Sequence, residues 1–464
     1  MTELSFPGAL DETDELARML AATGLSREAC RSKARLFARA ASALSITGQT
    51  TGGQPSLAYF VPGRIEVLGK HTDYAGGRTM VAAAERGFCF AATPRDDNEI
   101  VVIDAQTGET IVFLADPELK PQAGSWANYP MTVARRVARN FPAAVRGVDI
   151  ALAGDLPPAA GMSSSSALMV GVFLVLAEVN QLSARDDYWR HVGENKIDLA
   201  GYLGAVENGR TFGELEGDLG VGTFGGSEDH TAILCAEPGR IGQYGYCPVE
   251  FEKSIPVPPG YLFAVGVSGV KAEKTGAALE KYNAVSRRAS TLLELWRRET
   301  GRDDPHLAAA LGSSPDAAER LKQLAASSSE KEFDSRALVA RLEHFMLESG
   351  EIIPEAGDAF SAGDLRAFGR LVDRSQHAAE QLLGNQVPET VFLAASARRH
   401  GAAAASAFGA GFGGSVWALV EADGADDFLA AWSDEYRQEF PQHVELARFF
   451  TTPAGPAAFR VEPK

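Results

Sequence analysis

Four consecutive serines, Ser163–Ser166, follow Gly161 and Met162 in the run DLPPAAGMSSSSA. Strand-like VDIALAGDL precedes them and the apolar run ALMVGVFLVLAEV follows, so a Gly/Ser loop leads from a strand into a buried helix. The first N–H groups of a helix lack intrahelical acceptors, and the helix dipole favours negative charge there. One hydroxyl would satisfy an ordinary N-cap. The set Gly161, Ser163, Ser164, Ser165 and Ser166 therefore reads as a phosphate cradle, and its hydroxyls are also suited to Mg²⁺.

Two further segments concentrate chemistry. PGRIEVLGKHTDYAGG (Pro62–Gly77) crowds Arg64, His71, Asp73 and Tyr74 between glycines. Asp and His offer acceptors and donors for sugar hydroxyls, and Arg64 can stabilise phosphoryl charge. A polar surface turn would have a similar composition. AFGAGFGGSVWALV (Ala407–Val420) has glycines that let a backbone approach a ligand closely, or simply form a tight turn.

Two nucleotide motifs are matched only in appearance. GRIEVLGK (Gly63–Lys70) has one residue too many between its glycines for a P-loop, and His71 stands where Ser or Thr must hold the metal. Gly409, Gly411 and Gly414 satisfy G-x-G-x-x-G, but a strand-like run follows where the dinucleotide fingerprint needs a helix.

Taken in order, the three segments resemble the signature motifs of the GHMP kinases. The first is most similar to the galactokinase pattern PGRxNxxGEHTDYNGG. The resemblance implies a two-lobed α+β fold, with a ribosomal protein S5 domain 2-like N-terminal lobe and a ferredoxin-like C-terminal lobe. It also implies ATP-dependent phosphorylation of the anomeric hydroxyl of a monosaccharide, galactose first among them. VGTFGGSEDHTAIL lies where galactokinases carry Gly-x-Met-Asp-Gln, which makes Asp229 the expected base, with Glu228 beside it as the competitor. By the same resemblance Arg64 serves the reacting hydroxyl, and His71, Asp73 and Tyr282 hold the sugar. Glu207 with Ser165 would bind Mg²⁺, and Trp126 lies either near adenine or in the core.

Three departures from the pattern matter for the chemistry. Lys70 replaces a sugar-contacting glutamate, Glu66 replaces an asparagine, and His230 replaces the glutamine after the aspartate. Lys70 either pairs with Glu66 and leaves specificity intact, or meets a carboxylate on a uronic acid such as galacturonate. A non-catalytic relative that senses sugar and ATP is the alternative from another class. It would be marked by a damaged phosphate loop or a missing aspartate, and neither is evident.

The elements that must position these residues are mixed. Residues 12–45 carry helical periodicity, and the polar stretch SITGQTTGGQPS connects them to short strands LAYFV, FCFAAT, EIVVIDA and TIVFLA. Helix is expected over SWANYPMTVARRVARNF and DYWRHVGENKIDLAGYLGAVEN, and strand over YLFAVGVSGV, SVWALVEA and RFFTT. Long helices are expected over NAVSRRASTLLELWRRE, DSRALVARLEHFMLESGEII and TVFLAASARRHGAAAASAF, with Ala402–Ala405 helical. Without a βαβ repeat this is α+β, with domains at 1–255 and 256–464.

The 464 residues are 45% hydrophobic and 23% charged, enough for two cores. A net charge of −17, with no basic run, argues against nucleic acid or an anionic membrane as partner. Cys30, Cys89, Cys235 and Cys247 lack disulfide or zinc spacing. The acidic N-terminus has no apolar signal core and no stretch reaches membrane-span length, so a cytoplasmic monomer with small-molecule partners is expected.

Overall fold

The computed structural model describes residues 1–46, 55–271 and 276–463. Most of the polar connection expected before the first motif, residues 47–54, lies outside them. The architecture is α+β, built on two sheets. The main path of the larger sheet runs Thr2–Phe6, Phe459–Pro463, Leu57–Leu68, Arg78–Pro94, Val148–Gly154, Glu99–Asp104 and Thr110–Leu114. Arg78–Pro94 pairs with Val148–Gly154 along its second half. Its first half pairs with Arg240–Gly245, which carries Glu250–Pro256 on its other edge.

The smaller sheet is antiparallel throughout, in the order Ala404–Phe408, Ser415–Glu421, Tyr261–Val267, Arg448–Thr452. Period-two alternation gives it two apolar faces. Phe263, Val265, Trp417 and Leu419 join a core with Ile65, Val67 and Met80 of the larger sheet. Ala264, Val416, Ala418 and Val420 face Leu393, Trp432 and Tyr436 of the covering helices. The chain passes from the first sheet to the second between Pro256 and Tyr261. Its end, expected to belong wholly to the second lobe, returns to the first sheet as Ala454–Gly455 and Phe459–Pro463.

The helix Ser164–Val179 is apolar on every side, as a fully enclosed helix must be, and is buried along most of its length. It lies so close to the sheet that a Cβ on Gly171 would sit 2.2 Å from the Phe90 ring. This contact sets the depth of the serine loop relative to the first-motif strand.

Several sequence expectations change in detail. The N-terminal helical region is broken into Thr13–Leu20 and Arg27–Ile46. An edge strand, Thr2–Phe6, precedes it and pairs parallel with Phe459–Pro463. Only Phe6 of that strand is buried, so its sequence carries no alternation to detect. The helical stretch before Glu207 divides at Gly193, φ 60°, into Asp186–His191 and Lys196–Glu207. The alanine-rich run is corrected from helix to strand. Gly401, φ 96°, follows the helix Pro388–Arg399, and Ala404–Phe408 then pairs with Ser415–Glu421. Sheet pairing overrides alanine's helix propensity here, because small side chains let the flanking helices pack close.

All four cysteines are free. Among the described residues no helix is long and apolar enough to cross a membrane. Gly171→Val is expected to destabilise the fold by about 1–3 kcal/mol through overpacking against Phe90. A lowered midpoint in thermal unfolding would report it, and an unchanged midpoint would contradict the packing described.

Candidate functional site

The three motifs meet around a cavity of about 620 Å³. The serine loop forms one wall. Gly161 (φ 73°) and Ser163 (φ 61°) both take left-handed backbone, and the helix starts at Ser164. For a serine that conformation costs about 1–3 kcal/mol, so the surroundings must enforce it. They do so through the third motif. Ser415 Oγ donates to Ala160 O at 2.6 Å, and a Cβ on Gly409 would lie 2.9 Å from Gly161 O. Ser163 Oγ is buried at the helix start without a hydrogen-bond partner. An orphaned hydroxyl beside open helix N–H groups fits an incoming phosphate oxygen.

Arg64 lies on the strand Leu57–Leu68, just past a bulge at Pro62–Gly63 where Arg64 N donates to Met162 O at 3.1 Å. Its side chain is buried. Nη1 donates to Gly161 O at 2.9 Å, and Nε pairs with Asp229 Oδ1 at 2.8 Å and Glu228 Oε1 at 3.1 Å. Nη2 reaches Glu66 Oε2 at 3.5 Å. Burial alone would lower the pKa of this guanidinium, but Asp229 and Glu228 beside it push it above its ordinary value.

Asp229 belongs to the helix Glu228–Cys235. Asp73 Oδ2 accepts from Glu228 N at 3.0 Å, so the first motif caps that helix, and Asp73 Oδ1 accepts from Tyr74 N at 2.8 Å. Gly226 is required at this approach, since a Cβ there would lie 2.3 Å from Asp73 Oδ2. Burial raises the pKa of Asp73.

His71 has φ 58° and both ring nitrogens are engaged: Nε2 with Ala410 O at 3.0 Å and Nδ1 with Tyr74 Oη at 3.1 Å. A carbonyl can only accept, so Nε2 carries a proton. The Tyr282 ring packs on His71 at 5.2 Å between centroids. The turn bearing His71 is held from the C-terminal half. Arg341, fully buried, donates through Nη2 to His71 O at 2.5 Å, and Glu348 Oε1 accepts from Gly69 N at 2.9 Å.

The expected residues Arg64, His71, Asp73, Gly161, Ser163, Ser164, Ser165, Glu207, Asp229 and Tyr282 all line this one cavity. Trp126 lines it and also packs on the main core. Two placements differ from expectation. Ser166, expected in the phosphate cradle, is turned away from the cavity: its Oγ lies 2.8 Å from Glu207 Oε2 and 3.2 Å from Asp229 Oδ2. One residue along a helix is about 100° of rotation, which turns Ser165 to the cavity and Ser166 inward. Lys70 is fully buried with Nζ on Ser406 Oγ at 2.8 Å, and it does not line the cavity. Lys70 therefore makes neither a close ion pair with Glu66 nor a contact with the cavity, although its charge lowers the Glu66 pKa. Arg341 and Glu348 escaped sequence reading, because nothing local distinguishes them from other charged helix residues.

Known proteins share these sequence motifs and this fold. Residues 48–94 match the galactokinase galactose-binding signature, 128–201 the GHMP kinases N terminal domain and 358–438 the GHMP kinases C terminal domain. A galactokinase of Roseiflexus sp. (strain RS-1) is 28% identical over 383 residues, covering 82% of this chain and 87% of its own. A galactokinase of Exiguobacterium sibiricum is 27% identical over 430 residues, covering 90% and 97%. The crystal structure of Lactococcus lactis galactokinase complexed with galactose shares the fold, with a TM-score of 0.72 at 24% identity over 90% of this chain and 98% of that one. With both domain models and the galactose-binding signature in order along one fold, the chain belongs to the GHMP kinase superfamily, on its galactokinase side.

Proposed function

We propose that this protein transfers the γ-phosphoryl group of ATP to the anomeric C1 hydroxyl of a hexose of the galactose type, releasing ADP and the sugar 1-phosphate. One observation carries the reading: the Arg64 guanidinium touches the phosphate loop at Gly161 O (2.9 Å) and the Asp229 carboxylate (2.8 Å) together. Phosphoryl transfer needs a cradle for the donor, a cation at the transferring group and an orienter for the attacking hydroxyl. Arg64 joins all three.

In this reading the N–H groups of Ser164 and Ser165, with the orphaned Ser163 hydroxyl, receive the triphosphate, and Gly161 lets it approach closely. Ser166 braces Glu207 and Asp229 from below. Glu207 and Ser165 present hard oxygens to the cavity and would hold Mg²⁺, which neutralises phosphate charge when bound. Asp229 accepts the proton of the anomeric hydroxyl as its oxygen bonds to the γ-phosphorus and the bond to the β–γ bridging oxygen breaks. Arg64 stabilises the charge on the transferring group. Asp73, His71 and Tyr282 hold the remaining hydroxyls. Residues 1–255, joined by the returning strands Ala454–Gly455 and Phe459–Pro463, supply the phosphate and base side as one domain, and the rest of 256–464 supplies Tyr282 and the brace on the sugar turn as the second.

Two outcomes follow. Asp229→Ala is expected to lower kcat by about 100- to 10,000-fold while ATP binding is kept, as measured by coupled ADP release and calorimetry. Turnover within a few-fold of the wild type would remove Asp229 from its role. Arg341→Met is expected to raise KM for the sugar by about 10- to 100-fold with KM for ATP unchanged, because it frees only the His71 turn. Equal rises in both constants would show general loosening instead.

A further inference from the structure

Glu66 and Glu228 take no part in the transfer described above, yet both line the cavity. They are 2% and 5% exposed. Glu66 Oε1 has no hydrogen-bond partner, and Glu228 Oε1 meets Arg64 only as an ion contact without an aligned hydrogen bond. With Asp229, three carboxylates share the single guanidinium of Arg64. Lys70, the next cation along the chain, is turned away onto Ser406. Both glutamates stand where the galactokinase pattern carries neutral residues, Asn and Met, so two acids are added at the wall itself, while the Lys70 charge reaches Glu66 from outside the cavity. Burial raises the pKa of Glu66 to about 7 and that of Glu228 well above the usual carboxylate range, despite Arg64 beside them.

Resting on the sugar site of the preceding section, we infer that the preferred acceptor is a hexose bearing a protonated amine, with Glu66 and Glu228 receiving its ammonium. An –NH₃⁺ group has three donors and no acceptor, which suits the Oε1 atoms of Glu66 and Glu228, both buried without a hydrogen-bond partner. A second divalent metal is the competing cation. Among the described residues, however, no group of three or more His, Cys, Asp or Glu side chains is arranged to hold one. The amine also brings its own scaffold, so His71, Asp73 and Tyr282 fix where its charge lies.

Calorimetry without nucleotide or Mg²⁺ separates these possibilities, with D-galactosamine and D-galactose titrated into the full chain at about pH 7. The expected result is tighter binding of galactosamine by about tenfold, the scale of one charge-assisted hydrogen bond. That preference should fall to near parity in Glu66→Gln/Glu228→Gln, and the wild-type comparison stands even if the double variant folds poorly. Equal or weaker binding of the amine, binding of neither sugar, or a preference that survives the double substitution would overturn the inference. So would saturation of the wall by MgCl₂ alone with no amine preference. Failure of ADP release with either sugar would defeat the kinase reading while leaving this binding comparison intact.

Discussion

A guanidinium removed from water must be surrounded by opposite charge, and the architecture around Arg64 is organised by that requirement. Desolvating the ions costs several kcal/mol each, so such a cluster adds little net stability. What it provides is geometry. Arg64 can meet Gly161 O, Asp229 and Glu228 together only if the first-motif strand, the serine loop and the helix Glu228–Cys235 converge within hydrogen-bond reach. Losing the cation would leave carboxylates facing one another in a buried wall, the costlier way to break such a cluster.

Convergence depends in turn on close backbone approach. Gly171 brings the serine helix down onto Phe90, Gly226 admits the Asp73 carboxylate, and Gly409 packs on Gly161. None of these glycines touches a substrate in this account, yet each fixes a distance that the chemistry needs. The C-terminal half completes the frame from far along the chain. Arg341 reaches His71 across 270 residues and Glu348 reaches Gly69 across 279. Glu348 sits in a π-helical stretch, Met346–Ile352, and such stretches recur where a helix must redirect a side chain for function.

Much of the site's assembly was legible in the sequence, for a physical reason: the serine loop, the segment around Asp229 and the His71 turn are each local strings that the fold brings to one cavity. PGRIEVLGKHTDY and GMSSSS could be read because loop chemistry is dense and short in range. What stayed hidden depends on orientation or on distant partners. Helical phase turns Ser166 out of the cradle and onto Glu207. Lys70 looked like a specificity residue by its charge, but the path of the turn buries it on Ser406. The alanines before Phe408 looked helical because propensity is local, whereas their pairing with Ser415–Glu421 is not. The bracing pair Arg341 and Glu348 had no local signal at all.

In the proposed function, Arg64, Asp229 and the serine loop form one apparatus for phosphorylating an anomeric hydroxyl. The most direct measurement is the phosphorus NMR spectrum of the product formed from ATP, Mg²⁺ and a hexose of the galactose type. The expected result is consumption of ATP, appearance of ADP, and a new phosphomonoester resonance coupled to the anomeric proton. Unchanged ATP with every such hexose, or a phosphate coupled to the protons of a primary alcohol, would contradict it.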